Sequence, residues 1–422
     1  MYFYRFVSKL APQSAKNIYH LAQAIIACVF FGFPSRKLKV IGVTGTNGKT
    51  TTIQFISRIL ERAGDKIAAT SSINFQIGEK KWVNVSKFTT LSPWKLQKFL
   101  REAVRAGCKY VVLETSSHAL DQNRVWGVSY AIAVITNVTR EHLDYHKTME
   151  EYRRVKRKLF LSAGQVVINF DMESPEYFHA KKTQPVLFYS VKNQGADLFA
   201  DQIELKHDGT KFALDEMCFH LNMPGLFNIE NALAAIGVAS LLDVDFKVVE
   251  EALGGIETVP GRVERVPNAL RLDIIVDYAV TPDAFEKLYA TILPLKLPDA
   301  KIIHVFGACG ERDRGKRFIM GAIASKYADV IILTNEDPYY EDPEQIIDDI
   351  EKGITRSVAG EYLRIFDRRG AIRKAVALAK SGDIILVTGK GAEVTLAVGD
   401  KRLPWNDKQV IEEALALKKI NG

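Results

Sequence analysis

The chain has 422 residues, 47% hydrophobic and 25% charged, the balance of an ordinary soluble globular protein long enough for two or three separate cores. Of its 57 Lys and Arg, eight lie in residues 1–60, where there is no acid; the remainder carries 49 basic against 50 acidic residues, which argues against a nucleic-acid footprint. Four scattered cysteines, Cys28, Cys108, Cys218 and Cys309, argue against a disulfide framework or zinc ribbon and suit a reducing cytoplasm.

In chain order, the first feature is an apolar and basic N-terminal segment. Ile18, Leu21, Ala22, Ile25, Ile26, Val29 and Phe30 recur at helical spacing. The apolar stretch from Leu21 to Phe33 is too short to span a bilayer. Two readings stay open: a helix packed on the domain that follows, and a basic amphipathic helix resting on the inner membrane face through residues 1–36.

From Lys39 an apolar run leads into Gly45-Thr46-Asn47-Gly48-Lys49-Thr50-Thr51. The order is strand, glycine-rich turn, helix. Backbone N–H groups in such a turn face an anion, the helix N-terminus adds positive potential, the lysine reaches the outer phosphates and the following hydroxyl ligates Mg²⁺. The general phosphate-loop pattern asks for glycine where Val43 stands, so this is a variant loop. Residues 45–51 are its nucleotide-binding candidates, and ATP the expected ligand.

Strands then alternate with helices to about Leu253. Short apolar runs predict buried parallel strands at 111–114, 131–137 and 165–169, and periodicity predicts helices over 153–161 and 228–242. The composition breaks near Glu257-Thr258-Val259-Pro260-Gly261-Arg262. After it the alternation restarts, with strands predicted at 273–277, 301–306, 330–334 and 383–387. The expected architecture is α/β: residues 1–38 a short N-terminal segment, 39–257 a phosphate-loop ATPase domain on a parallel sheet, and 258–422 a Rossmann-like α/β domain. Two strand ends carry polar clusters, Glu114 to Arg124 and Asn137 to His146. A carboxylate ending a buried strand beside a phosphate loop is where such folds place a Mg²⁺ ligand.

Several ordered motifs then join these clusters: Lys156, Asn231-Ala-Leu-Ala-Ala, Pro260-Gly-Arg-Val-Glu, Val276-Asp-Tyr, Gly310-Glu-Arg-Asp-Arg-Gly-Lys-Arg, Asp337-Pro-Tyr-Tyr-Glu-Asp-Pro and Gly389-Lys-Gly-Ala-Glu. Over residues 39–420 the series resembles the Mur ligase family, most closely its members that add the third peptide residue to UDP-N-acetylmuramoyl-dipeptide. The resemblance implies an ATP-dependent amide-bond ligase of peptidoglycan synthesis. In it a substrate carboxylate attacks the γ-phosphate and an amino acid then attacks the acyl phosphate. It implies Lys49 as the phosphate lysine, Thr50, Glu114 and His142 as Mg²⁺ ligands, and Lys156 as a carbamylated lysine holding a second Mg²⁺. It assigns Thr89, Thr90, Ser116, Gln122 and Arg124 to a muramoyl-peptide acceptor, and Asn231, Arg262 and Asp277 to the ATP base and ribose. The pocket for the free amino acid falls to Arg312, Glu336, Asp337, Pro338, Tyr339, Gly389 and Glu393.

The chain departs from the family pattern in ways that bear on substrate choice. About 38 residues stand where the family carries a UDP-binding domain, so UDP recognition is where divergence is expected. The family's Asp-Asn-Pro-Arg, whose arginine pairs with the distal carboxylate of diaminopimelate, reads Glu336-Asp337-Pro338-Tyr339. Losing that bidentate partner favours a basic amino acid such as lysine or ornithine. Ala392 and Val280 replace histidines, and Phe88 an asparagine. A cytoplasmic monomer is expected. The competing readings are a folylpolyglutamate-type ligase for another peptide acceptor and a non-catalytic ATP-binding scaffold.

Overall fold

The computed structural model describes residues 12–86, 88–355 and 361–421. Residues 1–11 of the N-terminal segment therefore lie outside the described residues. Helix α1 (Gln13–Phe31) leads through Gly32, at φ 70°, into β1 (Lys39–Thr44), whose side chains after Lys39 are all buried. Burial on both faces is what a central strand of a parallel sheet requires.

The first sheet adds β2 (Ile67–Thr70), β3 (Asn74–Ile77), β4 (Lys80–Val83), β5 (Tyr110–Glu114), β6 (Tyr130–Ile135), β7 (Ala163–Asn169), β8 (Val186–Ser190) and β9 (Leu198–Phe199). Its spatial order is β4-β3-β2-β5-β1-β6-β7-β8-β9. β1 pairs in parallel with β5 on one side and β6 on the other. It therefore sits at the point where the strand order reverses, and the loops leaving the C-terminal ends of β1, β5 and β6 open into one crevice.

Helix α2 (Lys49–Arg62) covers one face of this sheet, and α3 (Pro93–Arg105), α4 (Ser117–Asp121) and α6 (Met149–Ser162) cover the other; the short α5 (Leu143–His146) precedes α6. Helices α7 (Leu226–Leu241) and α8 (Phe246–Gly254) complete the α2 side. A three-stranded antiparallel sheet of β10 (Asp201–Leu205), β11 (Thr210–Leu214) and β12 (Met217–Leu221) packs into that same core through Phe212, Leu214, Phe219 and Leu221. The sequence reading passed over this sheet, because three five-residue strands with exposed charges between apolar positions carry little signal.

The second sheet holds β13 (Glu264–Arg265), β14 (Asp273–Asp277), β15 (Ile302–Phe306), β16 (Val330–Leu333), β17 (Glu361–Arg364) and β18 (Ile384–Thr388), in the order β13-β14-β18-β15-β16-β17. It is parallel except for β13. Helices α9 (Pro282–Ile292), α10 (Gly315–Tyr327) and α11 (Pro343–Glu351) cover one face, and α12 (Arg368–Leu378) and α13 (Asp407–Asn421) the other. A hairpin of β19 (Thr395–Val398) and β20 (Lys401–Pro404) follows β18. The predicted strands exist within two residues or so of their expected ends. The α6 helix begins four residues earlier than expected, where the Thr148 hydroxyl accepts from the Glu151 amide and Glu150 and Glu151 suit the positive end of the helix.

The faces of α1 are not those of an ordinary amphipathic helix. Helix α1 does pack on its domain, chiefly against α3, and buries Ala24, Ala27 and Cys28, the last with its Sγ on the Trp126 carbonyl (3.4 Å). Of the large apolar residues at helical spacing, Ile18, Ile25, Ile26, Val29 and Phe30 are exposed. The buried stripe of the helix is thus narrow and made of small side chains, while Phe30 and Phe31 meet Trp94 of α3 at its edge.

Candidate active site

At the end of β1 the chain turns through Gly45, at φ 149°, and Gly48, at φ 85°. At Gly48 both the left-handed backbone and the space require glycine, since a Cβ would collide with the Asn231 side chain on α7. The loop is braced from β6: the Thr46 amide donates to the Asn137 carbonyl (2.9 Å) and the Asn47 amide to Asn137 Oδ1 (2.9 Å). Lys49 opens α2, and its Nζ donates to the carbonyls of Thr46 (2.8 Å) and Gly45 (3.1 Å).

Glu114 ends β5 and is 1% exposed. The Thr50 hydroxyl (3.1 Å), the Ser72 amide (2.7 Å) and the Ser72 hydroxyl (2.9 Å) all donate to its carboxylate. Thr90 donates to the Glu114 carbonyl (2.8 Å) and to Ser116 Oγ (3.1 Å), and Arg124 Nη1 donates to the Thr90 carbonyl (3.0 Å). Arg124 is otherwise underused: its buried Nε has no hydrogen-bond partner among the described residues. After β6, His142 takes a left-handed backbone (φ 58°) and meets the ring of His118 edge-on at 4.6 Å. Burial, then His118, hold its imidazole well below the usual range, so it is neutral and can offer a nitrogen lone pair.

Lys156 lies in the apolar stripe of α6, with Tyr152, Val155, Leu159 and Phe160. That face turns into the protein, so the lysine enters behind the phosphate loop and its Nζ donates to the Gly45 carbonyl at 2.8 Å. Two lysine nitrogens thus converge on one carbonyl oxygen. Burial, then Lys49, hold the Lys156 amine well below its ordinary value.

The second sheet supplies the opposite wall of a cleft of about 480 Å³. Arg262 donates to Thr50 Oγ1 (3.3 Å) and lies over the Tyr278 ring. Asp277 ends β14 and accepts the amides of Val263 (2.8 Å) and Ala279 (2.7 Å). Further contacts join the two walls. Asn47 Nδ2 donates to Asp283 Oδ2 (2.7 Å), and Lys316 Nζ to Glu141 Oε1 (3.0 Å), with both members of the second pair buried. Asp337 Oδ1 accepts from Lys390 Nζ (2.9 Å) and the Ala397 amide (2.7 Å), and Lys390 also pairs with Glu393. Tyr339 has a left-handed backbone (φ 52°), and the Arg402 guanidinium sits 5.1 Å from its ring centroid.

Of the candidates named from sequence, Thr46, Asn47, Gly48, Lys49, Thr50, Thr51, Thr89, Glu114, Ser116, Gln122, Arg124, His142 and Asn231 line this cleft from one side. Arg262, Asp277, Arg312, Glu336, Asp337, Tyr339 and Glu393 line it from the other. Gly45, Thr90, Lys156, Pro338 and Gly389 are not in the lining. Gly45, Thr90 and Lys156 support it from behind through the bonds above. Gly389 packs against Glu336, and the Pro338 carbonyl accepts the Glu341 amide (3.0 Å). Among the described residues, no three His, Cys, Asp or Glu side chains converge as a metal cage. Magnesium is commonly held by one or two carboxylates with phosphate oxygens and waters, so the Thr50–Glu114 pair fits that ion better than a protein-only cage would.

The sequence reading missed Ser72, the Lys316–Glu141 bridge and the Asn47–Asp283 contact. Nothing local marks them, since each joins segments distant in sequence. One signal was available for Lys156: residues 152, 155, 156, 159 and 160 fall on one helix face, and a lysine inside an apolar stripe is a buried lysine.

Burial, then Asp337, push the Glu336 carboxyl up to about 7, against Lys390. Its folded value lies above the ordinary one. The cost of ionising it is therefore absent below about pH 4.5 and full above about 7, so this group makes the fold less stable as pH rises across that window. Its anion also develops there. If it meets an ammonium group of the incoming amino acid, KM for that amino acid should fall about tenfold between pH 6 and 8, and Glu336→Gln should flatten the profile. An unchanged profile in the variant would remove Glu336 from the pocket.

Residues 43–239 match the Mur ligase middle domain and residues 261–391 the Mur ligase, glutamate ligase domain. The UDP-N-acetylmuramoyl-L-alanyl-D-glutamate–2,6-diaminopimelate ligase of Geobacillus thermodenitrificans is 38% identical over 407 residues, covering 93% of this chain and 82% of the relative. The UDP-N-acetylmuramyl-tripeptide synthetase of a Roseiflexus species is 39% identical over 425 residues, covering 94% and 82%. A solved structure of a UDP-N-acetylmuramoyl-L-alanyl-D-glutamate–2,6-diaminopimelate ligase superposes with a TM-score of 0.61 at 32% identity, covering 90% of this chain and 79% of that one.

Proposed function

The chain belongs to the Mur ligase family, and we propose that it joins a basic diamino acid, lysine or ornithine before diaminopimelate, to the free carboxylate of a UDP-N-acetylmuramoyl-dipeptide. It is an ATP-dependent amide-bond ligase of peptidoglycan synthesis. The observation that carries the reading is the single cleft that sets the phosphate loop, Glu114 and His142 against Arg312, Glu336 and Glu393.

The chemistry asks a carboxylate to approach a triphosphate, so positive charge must precede it. Lys49 and Arg262 supply it from this chain. Thr50 and Glu114 would hold one Mg²⁺, and His142 with a carbamylated Lys156 a second; the ions would screen the phosphates from the incoming carboxylate. Lys156 suits the modification because its buried amine is held toward the neutral form that adds CO₂, and a carbamate would replace one of two facing cations by an anion. An acceptor carboxylate oxygen bonds to the γ-phosphorus as the bond to ADP breaks. The amine of the incoming amino acid then attacks the acyl carbon, losing a proton, and phosphate departs. Arg124, with its unpaired Nε, and Gln122, Ser116, Thr89 and Thr90 would hold the acceptor. Asn231 and Asp277 would flank the nucleotide. The amino-acid pocket would be Arg312 on the α-carboxylate and Glu336 on the distal ammonium, framed by Asp337, Pro338, Tyr339, Gly389 and Glu393. The proposal takes the enzyme as a cytoplasmic monomer: residues of one chain line the cleft, and ATP is its expected nucleotide. The working units are residues 39–257 and 258–422.

The test is phosphate release by the purified chain with lysine, ornithine or diaminopimelate, on UDP-linked and UDP-free muramoyl-dipeptide. Release should require both acceptor and amino acid, with lysine or ornithine used about tenfold better than diaminopimelate, the worth of roughly one charged contact. Release independent of any amino acid would refute the ligase reading. Preference for diaminopimelate would refute the amino-acid choice alone, and would point to Arg402, beside Tyr339, as the cation for its distal carboxylate.

A further inference from the structure

The outward face of α1 carries Ile18, Ala22, Ile25, Ile26 and Val29, flanked by Tyr19 and Phe30, and holds no charge. Ile18 and Phe30 are each 68% exposed, Val29 64% and Ile26 61%. Two polar residues of the helix point the other way: Gln13 donates to the Tyr145 hydroxyl (2.7 Å) and Asn17 to Asp121 Oδ2 (3.2 Å), while Gln23 donates to the Tyr19 hydroxyl (2.8 Å) at the edge of the face. The amphipathic pattern is thus inverted relative to a helix that seats its apolar stripe in a core.

The surroundings of this face are basic and aromatic. Trp94, 43% exposed, meets the rings of Phe30 (5.0 Å) and Phe31 (5.3 Å). A groove beside Val29, Phe30 and Phe31 is rimmed by Lys98, Arg101 and Arg105, and its one acid, Glu102, pairs with Lys98 (3.8 Å). Arg36 and Lys37 lie exposed just past the helix, and residues 12–60 contain no acid. No described helix is long and apolar enough to cross a membrane.

We propose that the outward face of α1 docks on an anionic bilayer surface, with Ile18, Ile25, Ile26, Val29 and Phe30 entering the headgroup boundary and the α3 rim meeting lipid phosphates. An uncharged face with aromatic flanks and a cationic border is the chemistry of an interfacial helix. A second copy of the chain fits less well. A two-fold interface sets the same patch against itself, which would bring Lys98, Arg101 and Arg105 against their own copies. Since Gln13 and Asn17 bind Tyr145 and Asp121, and Gln122 reaches Tyr145 (3.5 Å), docking would hold the Gln122 end of the cleft about one helix diameter (~10 Å) from the bilayer. This inference rests on the surface of α1 and not on the ligase reading.

The experiment is co-sedimentation of the full chain with vesicles of phosphatidylcholine alone or with about 30 mol% phosphatidylglycerol. Binding should need the anionic lipid and weaken with salt. Ile26→Glu and Phe30→Glu should each lower partitioning at least about tenfold, the worth of one buried apolar side chain. Lys98→Gln with Arg101→Gln should reduce the dependence on anionic lipid. Far-UV circular dichroism and phosphate release without vesicles should be unchanged in all of them. Wild-type protein left in the supernatant with both vesicles would overturn the proposal. So would vesicle binding that survives Ile26→Glu and Phe30→Glu but is lost on deleting residues 1–11. A dimer in vesicle-free solution that Ile26→Glu dissociates, with no vesicle binding, would assign the face to a second copy instead.

Discussion

Lys49→Ala should lower the turnover of amino-acid-dependent phosphate release by about 10³-fold or more while leaving the fold intact. Lys49 is the first residue of α2, so its ammonium stands where the helix end and the loop amides already concentrate positive potential. Arg262, the other cation assigned to the triphosphate, adds to Lys49 and is not free to replace it. Arg262 is engaged with Thr50 Oγ1 and with the Tyr278 ring, and Lys316 is bound to Glu141. Alanine is a good helix former and the lost bonds are to two loop carbonyls, so the thermal midpoint should move by no more than a few degrees. Binding of ATP, read by the protection it gives against thermal unfolding, should weaken less than turnover, because the loop amides remain. A variant that keeps more than a tenth of wild-type turnover would show that the triphosphate is neutralised elsewhere.

Lys156→Ala should cost about 10²-fold in turnover, the scale of losing a group that supports a bound ion, and millimolar formate or acetate should restore part of it. The argument is geometric. Lys156 is buried in an apolar stripe, shares the Gly45 carbonyl with Lys49, and has a lysine for its nearest charge. Burying two like charges side by side is costly, and a carbamate on one of them removes the conflict. Alanine leaves a space that a small carboxylate can enter. Two readouts separate this from a packing role. The intact wild-type mass measured under bicarbonate should carry an added CO₂ that the variant lacks, and rescue should depend on the size of the acid. Wild-type turnover in Lys156→Ala, or rescue by chloride as well as by formate, would retire the carbamate.

Much of this site was legible before any fold was known. The phosphate loop declares itself because its function is local: glycines that permit positive φ, one lysine and two hydroxyls must be consecutive to surround one phosphate. Glu114 was legible for a related reason, being a charge at the end of an otherwise apolar strand, and the strand order then places it beside Thr50. The parallel strands could be read because burial on both faces forces uninterrupted apolar runs. The three-stranded sheet at 201–221 could not, because its alternation is short and mixed with charges.

What the amino-acid order alone could not convey were relations between distant segments. That Lys156 ends behind Gly45 depends on how α6 rolls against the sheet, and that roll is set by Tyr152, Val155, Leu159 and Phe160 burying together. That Asn47 meets Asp283 and Glu141 meets Lys316 depends on two sheets closing on each other across more than 170 residues of chain. The sign of α1 was the least readable feature. A periodic row of Ile, Val and Phe tells that a helix has an apolar face, because periodicity is a property of the helix itself. Which way that face looks is decided by its neighbours, and here the burial of Ala24, Ala27 and Cys28 against the domain turns the larger apolar side chains outward.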